Sequence, residues 1–128
     1  IMKYLSGWEA LNIPTENGET ADWHPNLYFN KDVKFYDTLD FDLGNIGIKY
    51  RYVKALNGYF YVANFARAIA DLVYLNQMND LKNCVNDFLN DEEEVELYNY
   101  LKKINKNKNV ENFIKFELTK LYFGVNNA

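Results

Sequence analysis

Residues 59–75, YFYVANFARAIADLVYL, contain a change of period, and that change sets the fold class. Up to Ala63 the residues alternate as along a strand. Beyond Asn64, the residues Phe65, Ile69 and Leu72, with Ala66, Ala70 and Val73, recur at the three- and four-residue spacing of a helix face. Asn64 is a good N-cap, because its side chain can accept from the first free N–H groups of the helix. Arg67 and Asp71 stand four apart and are expected to pair on the helix surface. Upstream, NIGIKYRYVK (45–54) sets Ile46, Ile48, Tyr50 and Tyr52 against Gly47, Lys49, Arg51 and Val53, again with strand periodicity. Asn57-Gly58 is a hairpin-turn dipeptide. The expectation is a hairpin over 45–63 whose return strand, Tyr59–Ala63, runs directly into a helix.

Outward from that junction, KYLSGWEALNI (3–13) predicts a short helix capped by Ser6, with Trp8, Leu11 and Leu5 on one side and Pro14 as its stop. Residues 14–21 read as a polar loop turning at Gly18, residues 27–29 as a strand, and residues 33–43 as irregular or short extended chain. A helix is expected from the Asp80 cap, with Leu81, Cys84, Val85, Phe88 and Leu89 inward. Another begins near Asp91, where the acidic run Asp91–Glu94 meets the positive end of the helix dipole and Lys102, Lys103 and Lys106 meet the negative end. Its inner face is Leu97, Tyr98, Leu101 and Ile104. A last helix follows an Asn109 cap, with Val110, Phe113, Ile114, Leu118, Leu121 and Tyr122 inward and Gly124 as stop. These elements predict one α+β domain over 1–128, β-rich through 63, with a bundle of about four helices over 64–124.

Composition narrows the function classes. The chain has 128 residues, net charge −4, and 17% aromatic residues, including 11 Tyr and 9 Phe. Aromatic rings carry large apolar area, and tyrosine adds a polar tip suited to contact surfaces. The same enrichment, together with many Asn and Lys, also fits AT-rich bacterial or phage coding sequence. Residues 1–64 hold 6 basic and 8 acidic side chains and residues 65–128 hold 8 and 10, so neither half has the basic excess of a general nucleic-acid binder. The single cysteine excludes an internal disulfide. No apolar run approaches the ~20 residues of a membrane span. The opening residues show no signal-peptide pattern, Met2 is expected to be the natural start, and a cytoplasmic location is expected.

Candidate chemistry is sparse. His24, in Asp22-Trp23-His24, is the only histidine, so a metal site would draw most of its ligands from carboxylates. A loop anchored by Trp23, with Asp22 and His24 hydrogen-bonded, is the expected role, and Trp23 and His24 are also candidates for partner contact. Asp37, Asp40 and Asp42 match no calcium-loop spacing and read as surface acids. Cys84, on an apolar helix face, reads as a buried thiol. Gly44-Asn45-Ile46-Gly47 lacks the lysine and the glycine spacing of a phosphate loop. The tract KKINKNK (102–108) puts Lys102, Lys103, Lys106 and Lys108 close together, but without interleaved aromatics; it reads as a helix end and turn, with phosphate contact the less favoured role. No catalytic residue, metal site or cofactor is expected.

Val62-Ala63-Asn64, followed by Arg67-Ala68-Ile69-Ala70-Asp71-Leu72, resembles the strand-to-helix junction of the AbiEi-type antitoxins of abortive-infection systems. That family's pattern runs Val-Ala, Ser or Thr, Pro, any residue, Arg-Ala-Leu, any residue, Asp-Leu. The opening KYLSGWEALNI with Ala21-Asp22-Trp23-His24 is similar to short bacterial proteins of the same group. The chain departs from the pattern at Phe65 and Ala66, where the family has its proline region, and its length leaves no room for the usual N-terminal winged-helix domain. The resemblance implies a non-enzymatic antitoxin that counters a nucleotidyltransferase toxin, with Arg67 and Asp71 at the shared positions; the favoured role of that pair is structural, fixing the helix against the hairpin.

The leading expectation is therefore a cytoplasmic binding protein, an antitoxin or phage-defence component, that contacts a cognate toxin or another phage or host protein. Its contact candidates are Trp23, His24, Tyr50, Tyr52, Tyr59 and Tyr61, and its acidic balance suits a basic, RNA-handling partner. The alternatives are a DNA- or RNA-binding regulator using Lys102, Lys103, Lys106 and Lys108, and a small hydrolase or nuclease using His24 with acids from 37–42. The oligomeric state is left open.

Overall fold

The computed structural model describes residues 2–15, 18, 33–77, 89–104 and 107–118. Among them the fold is α+β, with two small antiparallel sheets and a helical C-terminal region. The elements in chain order are β1 (Lys3–Tyr4), α1 (Gly7–Leu11), β2 (Tyr36–Asp37), β3 (Ile48–Val53), β4 (Gly58–Ala63), α2 (Phe65–Tyr74), α3 (Asp91–Lys103) and α4 (Lys108–Glu117). The strand expected at 27–29 and the helix expected from Asp80 lie outside the described residues, as do Leu121, Tyr122 and Gly124.

The hairpin forms where its alternation places it, with Tyr50 opposite Tyr61, Tyr52 opposite Tyr59 and Val53 opposite Gly58. Its turn differs from the expected one. Lys54–Leu56 form a 3-10 turn, Asn57 takes the left-handed conformation (φ 52°), and Gly58 is already the first residue of β4. Asparagine tolerates that conformation because its short polar side chain bonds locally; here Asn57 Oδ1 accepts from the Tyr52 hydroxyl at 2.9 Å.

The N-terminal segment corrects the sequence reading more deeply. Residues 3–5 are extended rather than helical. β1 pairs with β2, and Leu5 bridges in parallel to Val62, with Leu5 N–H donating to Tyr61 O at 2.8 Å and Ala63 N–H to Leu5 O at 2.9 Å. The first strand thus lies between the two sheets. Ser6 does precede α1, but its side chain makes no cap bond. Gly7 must be glycine: its φ is +57°, and a Cβ there would stand 2.5 Å from Tyr36 Oη and 3.2 Å from Leu72 Cδ2.

α2 is the centre of the molecule. Every residue from Phe65 to Val73 is buried, so the helix is enclosed on all sides rather than amphipathic at a surface. Ala66, Ala68 and Ala70 let neighbouring elements approach its backbone closely, and α1, α3, α4 and β4 all pack on it. Tyr4, Leu5, Leu11, Val62, Ile69, Leu72, Leu97, Leu101, Val110 and Phe113 belong to one continuous core drawn from both halves of the chain.

Helix starts follow the local signals. Asn64 Oδ1 accepts from Arg67 N–H at 2.8 Å, as expected of the cap. α3 begins at Asp91 under a full capping box between Asn90 and Glu93. α4 starts two residues earlier than expected, because Asn107 rather than Asn109 is its cap and accepts from Val110 N–H at 3.0 Å. The inward residues expected for these helices, Leu97, Tyr98, Leu101, Ile104, Val110, Phe113, Ile114 and Leu118, are buried.

Candidate functional site

β3 and β4 present two different faces, and the alternation decides which residues go to each. Val53 and Val62 turn into the core, with Phe60 half-buried beside them. Tyr50, Tyr52, Tyr59 and Tyr61 turn outward and remain 57, 48, 61 and 40% exposed. Their cross-strand rings touch: Tyr50 and Tyr61 have centroids 4.8 Å apart, Tyr52 and Tyr59 5.3 Å, and the diagonal pair Tyr50 and Tyr59 stack at 5.7 Å. The result is a contiguous ring surface set on a rigid hairpin. Such a surface loses little side-chain entropy on contact, since each tyrosine is already ordered by its neighbours.

Beside this face runs a groove of about 490 Å³, walled by residues 12–15 on one side and by residues 49–55 with Tyr59 on the other. Arg51 crosses its floor and donates through Nη2 to the Pro14 carbonyl. The charged side chains lining the groove are Lys49, Arg51 and Lys54, all cations.

The residues shared with the antitoxin pattern occupy a different place. Arg67 and Asp71 form a sealed ion pair, not the surface pair expected from their spacing. Arg67 Nε donates to Asp71 Oδ1 at 2.9 Å, with the side chains 0 and 1% exposed. Both terminal nitrogens of the guanidinium are bonded as well: Nη1 donates to the carbonyls of Gly44 (2.9 Å) and Ile46 (2.6 Å), and Nη2 donates to Tyr4 Oη at 2.9 Å. Asp71 Oδ2 accepts from the hydroxyls of Tyr4 (2.6 Å) and Ser6 (2.7 Å). That bond explains why Ser6 does not cap α1. The network ties the first strand, the turn before the hairpin and the central helix together, and it satisfies each buried polar atom as low-dielectric surroundings require. Burial pushes the Asp71 carboxyl above the ordinary carboxylate range, against the pull of the Arg67 charge and the bonds from Tyr4, Ser6 and Arg67. Burial, reinforced by the Asp71 carboxylate, pushes the Tyr4 phenol far above its ordinary range. The network fastens the first strand and the turn before the hairpin to the central helix.

Asn64 is a second fastening. Beyond capping α2, its Nδ2 donates to Glu96 Oε1 at 2.8 Å and to Tyr100 Oη at 3.4 Å, and its N–H donates to Gly47 O at 2.8 Å. It therefore joins hairpin, α2 and α3.

Asp22, Trp23, His24, Cys84 and Lys106 lie outside the described residues. Asp37 caps the 3-10 turn Thr38–Asp40; the Leu39 N–H, and then Lys3 at 3.3 Å, hold its carboxyl below the usual range. Asp40 and Asp42 are exposed. Among the described residues no three His, Cys, Asp or Glu side chains gather as metal ligands, and no helix is long and apolar enough to cross a membrane. Lys102 and Lys103 are exposed on the last turn of α3, and Lys108 is exposed as the first residue of α4. The groove beside β3 escaped sequence reasoning, because its opposite wall is supplied by residues some forty positions earlier. No protein-family model, curated protein or solved structure matches the chain.

Proposed function

We propose that this chain is a non-enzymatic protein-binding module whose contact surface is the tyrosine face of the hairpin, acting as an antitoxin or comparable phage-defence component against a nucleotidyltransferase-type toxin. One observation supports binding above all: four tyrosines, 40–61% exposed, lie ring to ring on one face. Monomeric proteins seldom leave such a cluster of large rings in water unless it meets something, and tyrosines of this kind dominate interface energetics. The antitoxin assignment draws on the resemblance over 59–75. Within it Arg67 and Asp71 hold the junction in shape, so the shared residues would preserve the scaffold while the hairpin makes the contact.

The test is to look for a nucleotidyltransferase-type reading frame beside this gene and to co-express its product with the protein. Growth should be rescued by the intact protein and lost with Tyr50→Ala/Tyr59→Ala, although the variant keeps its circular dichroism spectrum. Rescue that survives this double substitution refutes the tyrosine face; failure of the intact protein to rescue refutes the antitoxin role.

A further inference from the structure

The two edges of the hairpin are used differently. Leu5 N–H donates to Tyr61 O and Ala63 N–H donates to Leu5 O, so the odd-numbered residues of β4 turn their backbone groups away from β3. In an antiparallel pair this makes Tyr50–Tyr61 and Tyr52–Tyr59 the non-hydrogen-bonded pairs. Tyr50 and Tyr52 must then turn their own N–H and C=O groups outward along the edge of β3 away from β4, an edge that no described strand pairs. The edge of β4 is met by Leu5; along β3, no described residue offers Tyr50 or Tyr52 a backbone partner.

That open edge runs along the groove already described. Its length, its backbone donors and acceptors, and the exposed rings of Tyr50 and Tyr52 are what an added strand uses: main-chain bonds for affinity and alternate side chains for selectivity. The charge of the occupant follows from the lining. The protein carries net charge −4, yet the charged groups among the described residues lining the groove are Lys49, Arg51 and Lys54, with no described carboxylate beside them. A cationic groove in an acidic protein selects for an acidic chain.

Resting on the protein-binding reading above, we propose that the partner is engaged through an extended acidic peptide segment that adds as a strand to the edge of β3, with its carboxylates facing Lys49, Arg51 and Lys54. Single-stranded RNA shares the need for cations and stacking rings, but it has no use for the outward N–H and C=O groups of Tyr50 and Tyr52.

Fluorescence anisotropy with short labelled probes decides the matter. The probes are a peptide alternating glutamate with valine, the same peptide with lysine for glutamate, an N-methylated version that cannot donate along one edge, and oligouridylate. The glutamate peptide should bind, about tenfold or more weakly to Lys49→Glu/Lys54→Glu. The lysine and N-methylated peptides and oligouridylate should bind no better than that charge-reversed protein binds the glutamate peptide. Binding indifferent to peptide charge, binding that survives N-methylation, or a preference for oligouridylate each overturns the inference. If the toxin rescue fails with Tyr50→Ala/Tyr59→Ala but persists with Lys49→Glu/Lys54→Glu, the protein-binding reading stands and the acidic strand falls. If both variants rescue, the tyrosine face and the acidic strand both fall, while the antitoxin role stands.

Discussion

Arg67 and Asp71, one helical turn apart and 2.9 Å between Nε and Oδ1, are held in the centre of the fold. Spacing alone puts such a pair on a helix surface, where it contributes a few tenths of a kcal/mol. Buried, it behaves differently, since removing one partner strands the other charge at low dielectric. Arg67→Met should destabilise the protein by about 3–5 kcal/mol. Arg67→Met/Asp71→Leu should cost less than the sum of the two single changes, by about 0.5–3 kcal/mol. Urea unfolding of the three variants checks this, and strict additivity would contradict a coupled network.

The tyrosine face makes the opposite prediction. Cross-strand aromatic pairs on an exposed sheet contribute only about 0.2–1 kcal/mol each. Tyr50→Ala/Tyr59→Ala should therefore lower stability by about 1–2 kcal/mol while abolishing partner contact. A loss as large as that of Arg67→Met, read from the same unfolding curves, would mean the rings serve the fold.

Gly47 sits where hairpin, α2 and α3 meet, with φ +76°. A Cβ there would stand 2.9 Å from Tyr100 Oη and 3.0 Å from Arg67 Cβ. Gly47→Ala should cost about 1–3 kcal/mol, from both left-handed strain and the disturbed Asn64 junction. Gly44→Ala, also left-handed but with open space around it, should suffer the strain alone and cost less. Thermal unfolding of the two variants ranks them.

Alkaline stability reports on the buried phenols. Burial raises the pKa of Tyr4, with Asp71 adding to it, and burial likewise raises that of Tyr36, with Glu9 and Asp71 adding. A phenol whose pKa rises on folding gives stability that is complete below the unfolded value of about 10 and is lost as pH climbs past it. Unfolding midpoints should fall above that pH. Tyr36→Phe should flatten the fall, because one of the raised phenols no longer titrates. Midpoints measured across the alkaline range, with tyrosinate absorbance as a second readout, test the slope.

Local rules were readable from the residues alone. The strand-to-helix switch at Asn64, the alternation of the hairpin strands, the acidic start of α3 and the inward stripes of α3 and α4 each depend on residues within one or two turns of each other. Asn57 and Asn107 show the limit of such reading, since both turn and cap have several neighbouring candidates of nearly equal propensity.

What no window of sequence contains is which polar groups are shared across the chain. Tyr4 meets Asp71 across 67 positions from an extended segment paired with β2 and β4, and Ser6 bonds the same carboxylate rather than capping α1. Once the first strand covers one side of α2, and α3 and α4 cover others, an apparently amphipathic helix becomes enclosed and its surface pair becomes a core pair. The tyrosines, by the same packing, are left outside: β4 offers the core one face only, and the valines occupy it. Periodicity is a property of neighbours along the chain, whereas burial depends on what distant segments bring, and here burial decides both the anchor and the contact surface.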